Sequence, residues 1–334
     1  MPLKLPRPDP FLLFLLATVA LASLLPCRGE GARIFGWITQ GAIVLLFFLH
    51  GAKLSREAVL AGAGHWRLHL LVAAATFVLF PALGLLLRSV VGDSLDPKLV
   101  AGILFLCLLP STVQSSIAFT SIAFTSIAGG NVPAAVCSAT LSNLAGIVIT
   151  PVLVGLFMGV SGAAHGVDLR AVGSIMGQLL LPFVAGHLSR PLTAGWLGRH
   201  KTLANRVDRS SILLVVYTAF SAAVVQGLWR ELSARDLAMV LALDGLILAV
   251  ALAVTSAAAR LLGFSAADQI AIVFCGSKKS LASGVPMAGA LFPAAVVGPM
   301  IVPLMLFHQM QLMVCSVLAQ RYAELRLRPG HAAA

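Results

Sequence analysis

Ten apolar stretches, most about as long as a bilayer's hydrocarbon core is thick, follow one another along this chain. They run approximately 10–27, 34–52, 68–90, 97–128, 131–159, 168–190, 206–228, 237–262, 266–291 and 294–320. A helix needs roughly 20 apolar residues to cross about 30 Å of hydrocarbon, so the pattern predicts an all-α membrane protein of ten transmembrane helices. Composition agrees: 59% of the 334 residues are hydrophobic and only 10% charged, far more apolar surface than a soluble domain needs.

The net charge of +11 does not point to nucleic acid, because Lys and Arg sit in short connections between apolar runs. With an even number of spans both termini share one side. If that side is the cytoplasm, fourteen of the 23 Lys and Arg residues fall there, seven fall opposite, and Lys278 and Lys279 lie within a span. This bias places both termini inside. The run Phe11–Leu25 follows Lys4 and Arg7 as in a signal peptide, but nine further spans follow, and it reads as the first membrane helix. The cysteines Cys27, Cys107, Cys137, Cys275 and Cys315 form no CxxC pair and read as small buried hydrophobes. No His/Cys/carboxylate cluster has metal spacing, and no GxSxG or HExxH motif occurs, so the chain does not read as an enzyme.

The fourth and ninth spans are broken. "LLPSTVQSS" interrupts one at Pro110, and "FCGSKKSLASG" interrupts the other at Gly276. Proline and glycine break the backbone ladder, and freed backbone groups are tolerated at membrane depth only where protein or a watery cavity satisfies them. Breaks at matching places in two halves mark a transporter's binding site. The halves match again directly after each break: Pro133-Ala134-Ala135-Val136 opens the fifth span and Pro293-Ala294-Ala295-Val296 the tenth. Five spans per half is odd, so the two repeats are inverted. The chain reads as one integral membrane domain over 10–322. Residues 1–188 hold the first repeat and, from about 168, the sixth span; residues 189–334 hold the remainder. The polar stretch Ser189–Ser210 reads as a cytoplasmic hinge loop.

Ser116–Thr120 is repeated at once as Ser121–Thr125. Pro110 and Pro133 are 23 residues apart, Gly276 and Pro293 only 17; deleting one pentapeptide leaves 23 − 5 = 18. The repeat therefore reads as a tandem insertion. The excess is expected to emerge as an added turn before Gly129-Gly130-Asn131, with residues 111–120 held at the break.

The stretches "FLHGAKLS", "PSTVQSSIAFTSIA…GNVPAAVCSATLSN" and "FCGSKKSLASGVPMAGALF" resemble the bile acid:sodium symporter superfamily. Within it they resemble the divergent branch that contains the seventh human bile-acid carrier family member and its bacterial relatives. The resemblance implies a panel and a core subdomain, with discontinuous helices 4 and 9 crossing in the core. It also implies substrate at the crossing, Na⁺ beside it, and alternating access. One departure stands out. Aligned on Gly276 and Ser280, Phe274 falls where sodium-coupled members carry an acidic residue, and Lys278 and Lys279 fall where they carry amides. A lysine ammonium repels Na⁺ and can take a cation's place itself. The resemblance places a first ion site at Ser138, Ser142 and Asn143 on the fifth span, and a polar position at Thr76.

A lysine at mid-membrane is costly unless hydrated or paired, and is a functional candidate by default. The substrate-binding candidates are Ser111, Thr112, Gln114, Ser115, Ser116, Ser277, Lys278, Lys279 and Ser280. The ion-binding candidates are Thr76, Ser138, Ser142, Asn143 and Asp244. Asp244, the acidic residue deepest in a span, is expected to pair with one of the lysines. Gln178, His187, Tyr217 and His308 read as hydrogen-bonding groups within the bundle. The expected function is secondary transport of a small organic anion across a bacterial inner membrane. No cofactor is expected; the coupling ion is Na⁺ or H⁺. The expected partners are the anion and the bilayer, with no nucleic acid and an open oligomeric state. The other reading is a regulatory or scaffold membrane protein that keeps this fold without transporting.

Overall fold

The structure, a computed structural model, describes residues 10–53, 63–112, 121–158 and 169–327, and among these it is helical with no strand. The helices are α1 (Pro10–Leu24), α2 (Gly29–Lys53), α3 (Trp66–Val91), α4 (Pro97–Leu108), α5 (Ser121–Ala128), α6 (Val132–Met158) and α7 (Leu169–Leu188). They continue with α8 (Arg190–Arg199), α9 (Lys201–Val225), α10 (Ala234–Leu261), α11 (Ala266–Gly276), α12 (Leu281–Leu291) and α13 (Ala294–Leu327). Every predicted stretch contains helix. Among the described residues six helices, α2, α3, α6, α9, α10 and α13, are long and apolar enough to cross a membrane by length and composition. Their outward faces are apolar too: α2 buries Ile43, Leu46 and Phe47 while Ile34, Trp37 and Leu45 stay exposed. A helix hydrophobic all round belongs in a bilayer or a deep core, and these faces are not covered by protein.

Packing is tightest where small residues let backbones meet. A Cβ at Gly51 of α2 would lie 1.9 Å from the Phe183 carbonyl oxygen, and one at Gly186 of α7 would lie 1.9 Å from that of Phe48. Small residues at a crossing give membrane helices their closest approach. α1 packs on α9, and α2 on both α7 and α9. α4 packs between α3 and α13, with Gly102 so close to α13 that a Cβ would come 2.4 Å from the Met300 oxygen. α12 faces α9 and α2, where Gly289 meets Val215 and Ile43.

Ser189–Ser210 is not a loop, contrary to its polar reading. It forms α8 and the first turns of α9. Pro191 sits in the first turn of α8, where its missing N–H costs nothing, and a polar sequence without a later breaker continues a helix outside the apolar zone. Lys53 of α2 pairs with Asp208 of α9 at this end. The predicted breaks are present: α4 ends at Leu108 before Pro110, and α11 ends at Gly276, four residues before α12. The repeated Pro-Ala-Ala-Val opens α6 in one half and flanks the start of α13 in the other. The second pentapeptide copy lies in α5. The first copy lies outside the described residues, and so does the predicted path of the excess.

Candidate functional site: a crossing of two broken helices

Pro110 has no N–H, so the last turn of α4 cannot close its own ladder, and its carbonyls need other donors. Several find them across the break. The Leu106 oxygen accepts from the Leu109 N–H at 3.3 Å. The Cys107 and Leu109 oxygens accept from the Lys279 ammonium at 3.0 and 2.6 Å. The Leu108 oxygen accepts from the Thr150 hydroxyl of α6 at 2.9 Å. The Pro110 oxygen accepts from the Ser280 N–H at 3.0 Å, and the Ser111 oxygen from the Asn143 amide at 2.6 Å. The Ser111 N–H donates to the Ser142 hydroxyl at 2.9 Å. In hydrocarbon an unmet peptide group costs several kcal/mol, on the order of 4–8 by transfer to an apolar solvent, so these partners are what allows the break.

The second break is tied to the first and to α13. Ser111 donates its hydroxyl to the Cys275 oxygen, and Thr112 donates to the Lys279 oxygen at 2.9 Å. Gln311 of α13 holds both sides of the Lys279 residue, accepting from its N–H and donating to its oxygen, each at 2.9 Å. The other N–H of the Gln311 amide reaches His308 Nδ1 at 2.9 Å, so Nδ1 accepts and the imidazole proton sits on Nε2. Ser283 of α12 donates to Asn143 at 2.6 Å, and Gly146 leaves room for Pro110, whose Cβ would lie 2.6 Å from a Cβ there.

The two adjacent lysines differ completely. Both are buried. Lys279 donates to three carbonyls: Cys107, Leu109 and, at 2.9 Å, Thr76. The Thr76 oxygen is available because α3 turns through a π turn over Ala75–Leu79. There the Phe80 N–H bonds Ala75 instead of Thr76, and residue 81 is proline. Such π turns recur at functional sites. The Phe80 ring lies 4.1 Å from the same ammonium. Lys278 points the other way. Its ammonium is 3.9 Å from the centre of the Phe124 ring and 5.2 Å from that of Phe274. It has no hydrogen-bond partner among the described residues.

The crossing therefore gathers Ser111, Thr112, Lys279, Ser280, Ser142 and Asn143, together with the Thr76 carbonyl. The Thr76 hydroxyl is turned back on its own helix, bonding Val72 at 2.8 Å, as Ser277 bonds Val273 at 2.6 Å. Ser138 meets His69 of α3 at 2.9 Å. Gln114, Ser115 and Ser116 lie outside the described residues. The expected pairing of Asp244 with a lysine does not form: Asp244 is buried on α10 with both carboxylate oxygens unpartnered among the described residues. Lys279 already has three carbonyl partners. Gln178 is exposed, His187 Nδ1 is buried without a partner among the described residues, and Tyr217 bonds Leu25 at 2.9 Å. Sequence reasoning missed Thr150, Ser283, Gln311 and His69. Gln311 carried a readable signal, a second amide one turn from His308 inside an apolar span.

Two broken helices, joined at their breaks inside an apolar bundle and satisfied by side chains of their neighbours, are an arrangement found in membrane transporters. Residues 9–324 match the SBF-like CPA transporter family (DUF4137), and the chain belongs to that family. It is 59% identical over 319 residues to an uncharacterized Pseudomonas aeruginosa protein, PA2026, covering 96% of this chain and 94% of that one. It is 56% identical to the putative symporter YfeH of Escherichia coli K12, over 94% and 92% of the two chains. Mouse sodium/bile acid cotransporter 7 is 29% identical over 93% of this chain and 92% of its own. The chain is thus an integral, multi-pass membrane protein of a transporter family.

Proposed function

We propose that the protein carries a small organic anion across a bacterial inner membrane by alternating access, both termini being cytoplasmic. One observation carries this reading. Of the two lysines at the break, only Lys278 keeps all three N–H donors unmet among the described residues. A buried ammonium without acceptors is costly, and an anion entering beside Phe124 and Phe274 would supply them. The hydroxyl-rich break after Pro110 would orient the substrate, and the first turn of α12 would add a favourable potential for negative charge. The crossing, stitched to α6 and α13, would move as one body against the group formed by α1, α2, α7 and α9. Asp244 is the group we assign to cation coupling, since its oxygens alone among the ion-site candidates have no protein partner among the described residues.

The test is thermal unfolding of purified protein against a panel of organic anions, with Na⁺ present or replaced and across pH. We expect one class of anion to raise the melting temperature saturably, and Lys278→Ala to abolish that rise. Stabilisation by Na⁺ with no anion response, or an anion response that survives Lys278→Ala, would contradict the proposal.

A further inference from the structure

Lys279 has the surroundings of a bound monovalent cation. Its ammonium lies 2.6, 2.9 and 3.0 Å from the carbonyl oxygens of Leu109, Thr76 and Cys107. These come from two elements in which the regular helical ladder is interrupted. On α4 the helix stops before Pro110, and the Ser111 N–H that a continuous helix would give to Cys107 goes to Ser142 instead. On α3 the interruption is the π turn before Pro81. A carbonyl cage at the C-terminal end of a helix, where the helix dipole is negative, attracts positive charge. The Phe80 face closes one more side at 4.1 Å. Only the –NH₃⁺ form of lysine has three donors for three carbonyls. No carboxylate completes the cage among the described residues, so its partners are dipoles, as for a desolvated alkali ion.

The geometry points to Lys279 as a built-in cation that permanently occupies a monovalent-cation site between α3 and α4. The tether to the break makes the charge part of the crossing rather than a ligand that enters and leaves. That site then takes no Na⁺ during transport, and Lys279 gives no hydrogen bond to substrate. This inference is independent of which anion is carried, and its test needs no substrate.

Lys279→Ala removes Cγ, Cδ, Cε and the amine while leaving the three carbonyls. n-Propylammonium has those four heavy atoms, and an engineered cavity can take up a molecule of the lost group's shape. The full chain in detergent is compared as wild type, Lys279→Ala and Lys279→Met by thermal unfolding, with n-propylammonium or its neutral counterpart n-propanol. We expect both variants to melt about 5 °C or more below wild type. n-Propylammonium should restore at least half of the loss in Lys279→Ala, saturably, and n-propanol should not. Lys279→Met should not respond, because its side chain fills the space without supplying charge. A Lys279→Met protein that melts like wild type would overturn the inference. So would a folded Lys279→Ala that ignores n-propylammonium, or one that n-propanol restores equally. A variant that yields no folded protein counts as lost stability; if Lys279→Ala is that variant, the melting temperature of Lys279→Met decides alone.

Discussion

At the scale of single residues, the chemistry turns on where three buried charges find partners. Lys279 has three carbonyls, Lys278 two aromatic faces, and Asp244 no hydrogen bond among the described residues. A buried carboxylate in an ion pair would be strongly destabilised by neutralisation, whereas an unpaired one is a burden to the fold. Asp244→Asn should therefore keep or raise the melting temperature, and should remove any dependence of the anion response on Na⁺ or pH. A fall of about 5 °C or more would show instead that Asp244 holds a partner in the folded protein. The sequence showed all three charges, since an ionisable residue inside an apolar run stands out. It did not show their partners. The pairing of Asp244 with lysine was a sound guess from charge alone, but backbone carbonyls leave no mark on composition, and three of them satisfy Lys279.

At the scale of elements, the breaks at Pro110 and Gly276 were legible because proline, glycine and hydroxyls interrupt an apolar run, and helices end at Leu108 and Gly276. The donors that repair them were less so. Ser142 and Asn143 read as ion ligands, yet their polar atoms are used on the Ser111 peptide. Thr150 does not stand out in the sequence, since a lone threonine in a membrane helix usually bonds its own turn. The space for Pro110 depends on Gly146, so Gly146→Ala should push the proline away from the crossing. We expect a loss of several degrees in melting temperature and weakening of the anion response, read by thermal unfolding; unchanged values of both would mean that the crossing does not depend on this contact. The doubled pentapeptide makes a different prediction. Deleting one copy gives the same sequence whichever is removed and brings the spacing from 23 to 18 residues, near the 17 of the other half. The shortened chain should fold with a melting temperature no lower than wild type. Failure to fold would mean that both copies belong to the helix.

At the scale of the whole molecule, the all-helical membrane architecture was readable because hydropathy and composition both describe long apolar helices. Ser189–Ser210 was misread because polar composition reports solvent contact and not helix termination, and nothing after Pro191 stops α8 before His200. We propose a division of labour at the crossing: Lys279 holds the structure together and Lys278 meets the substrate. The most direct measurement sets Lys278→Ala beside Lys279→Met in the same thermal-unfolding experiment, with and without a stabilising anion. Lys278→Ala should melt within about 2 °C of wild type or above it but no longer respond to the anion. Lys279→Met should melt clearly lower. The reverse pattern, a destabilised Lys278→Ala that still responds or a stable Lys279→Met that does not, would contradict the proposal.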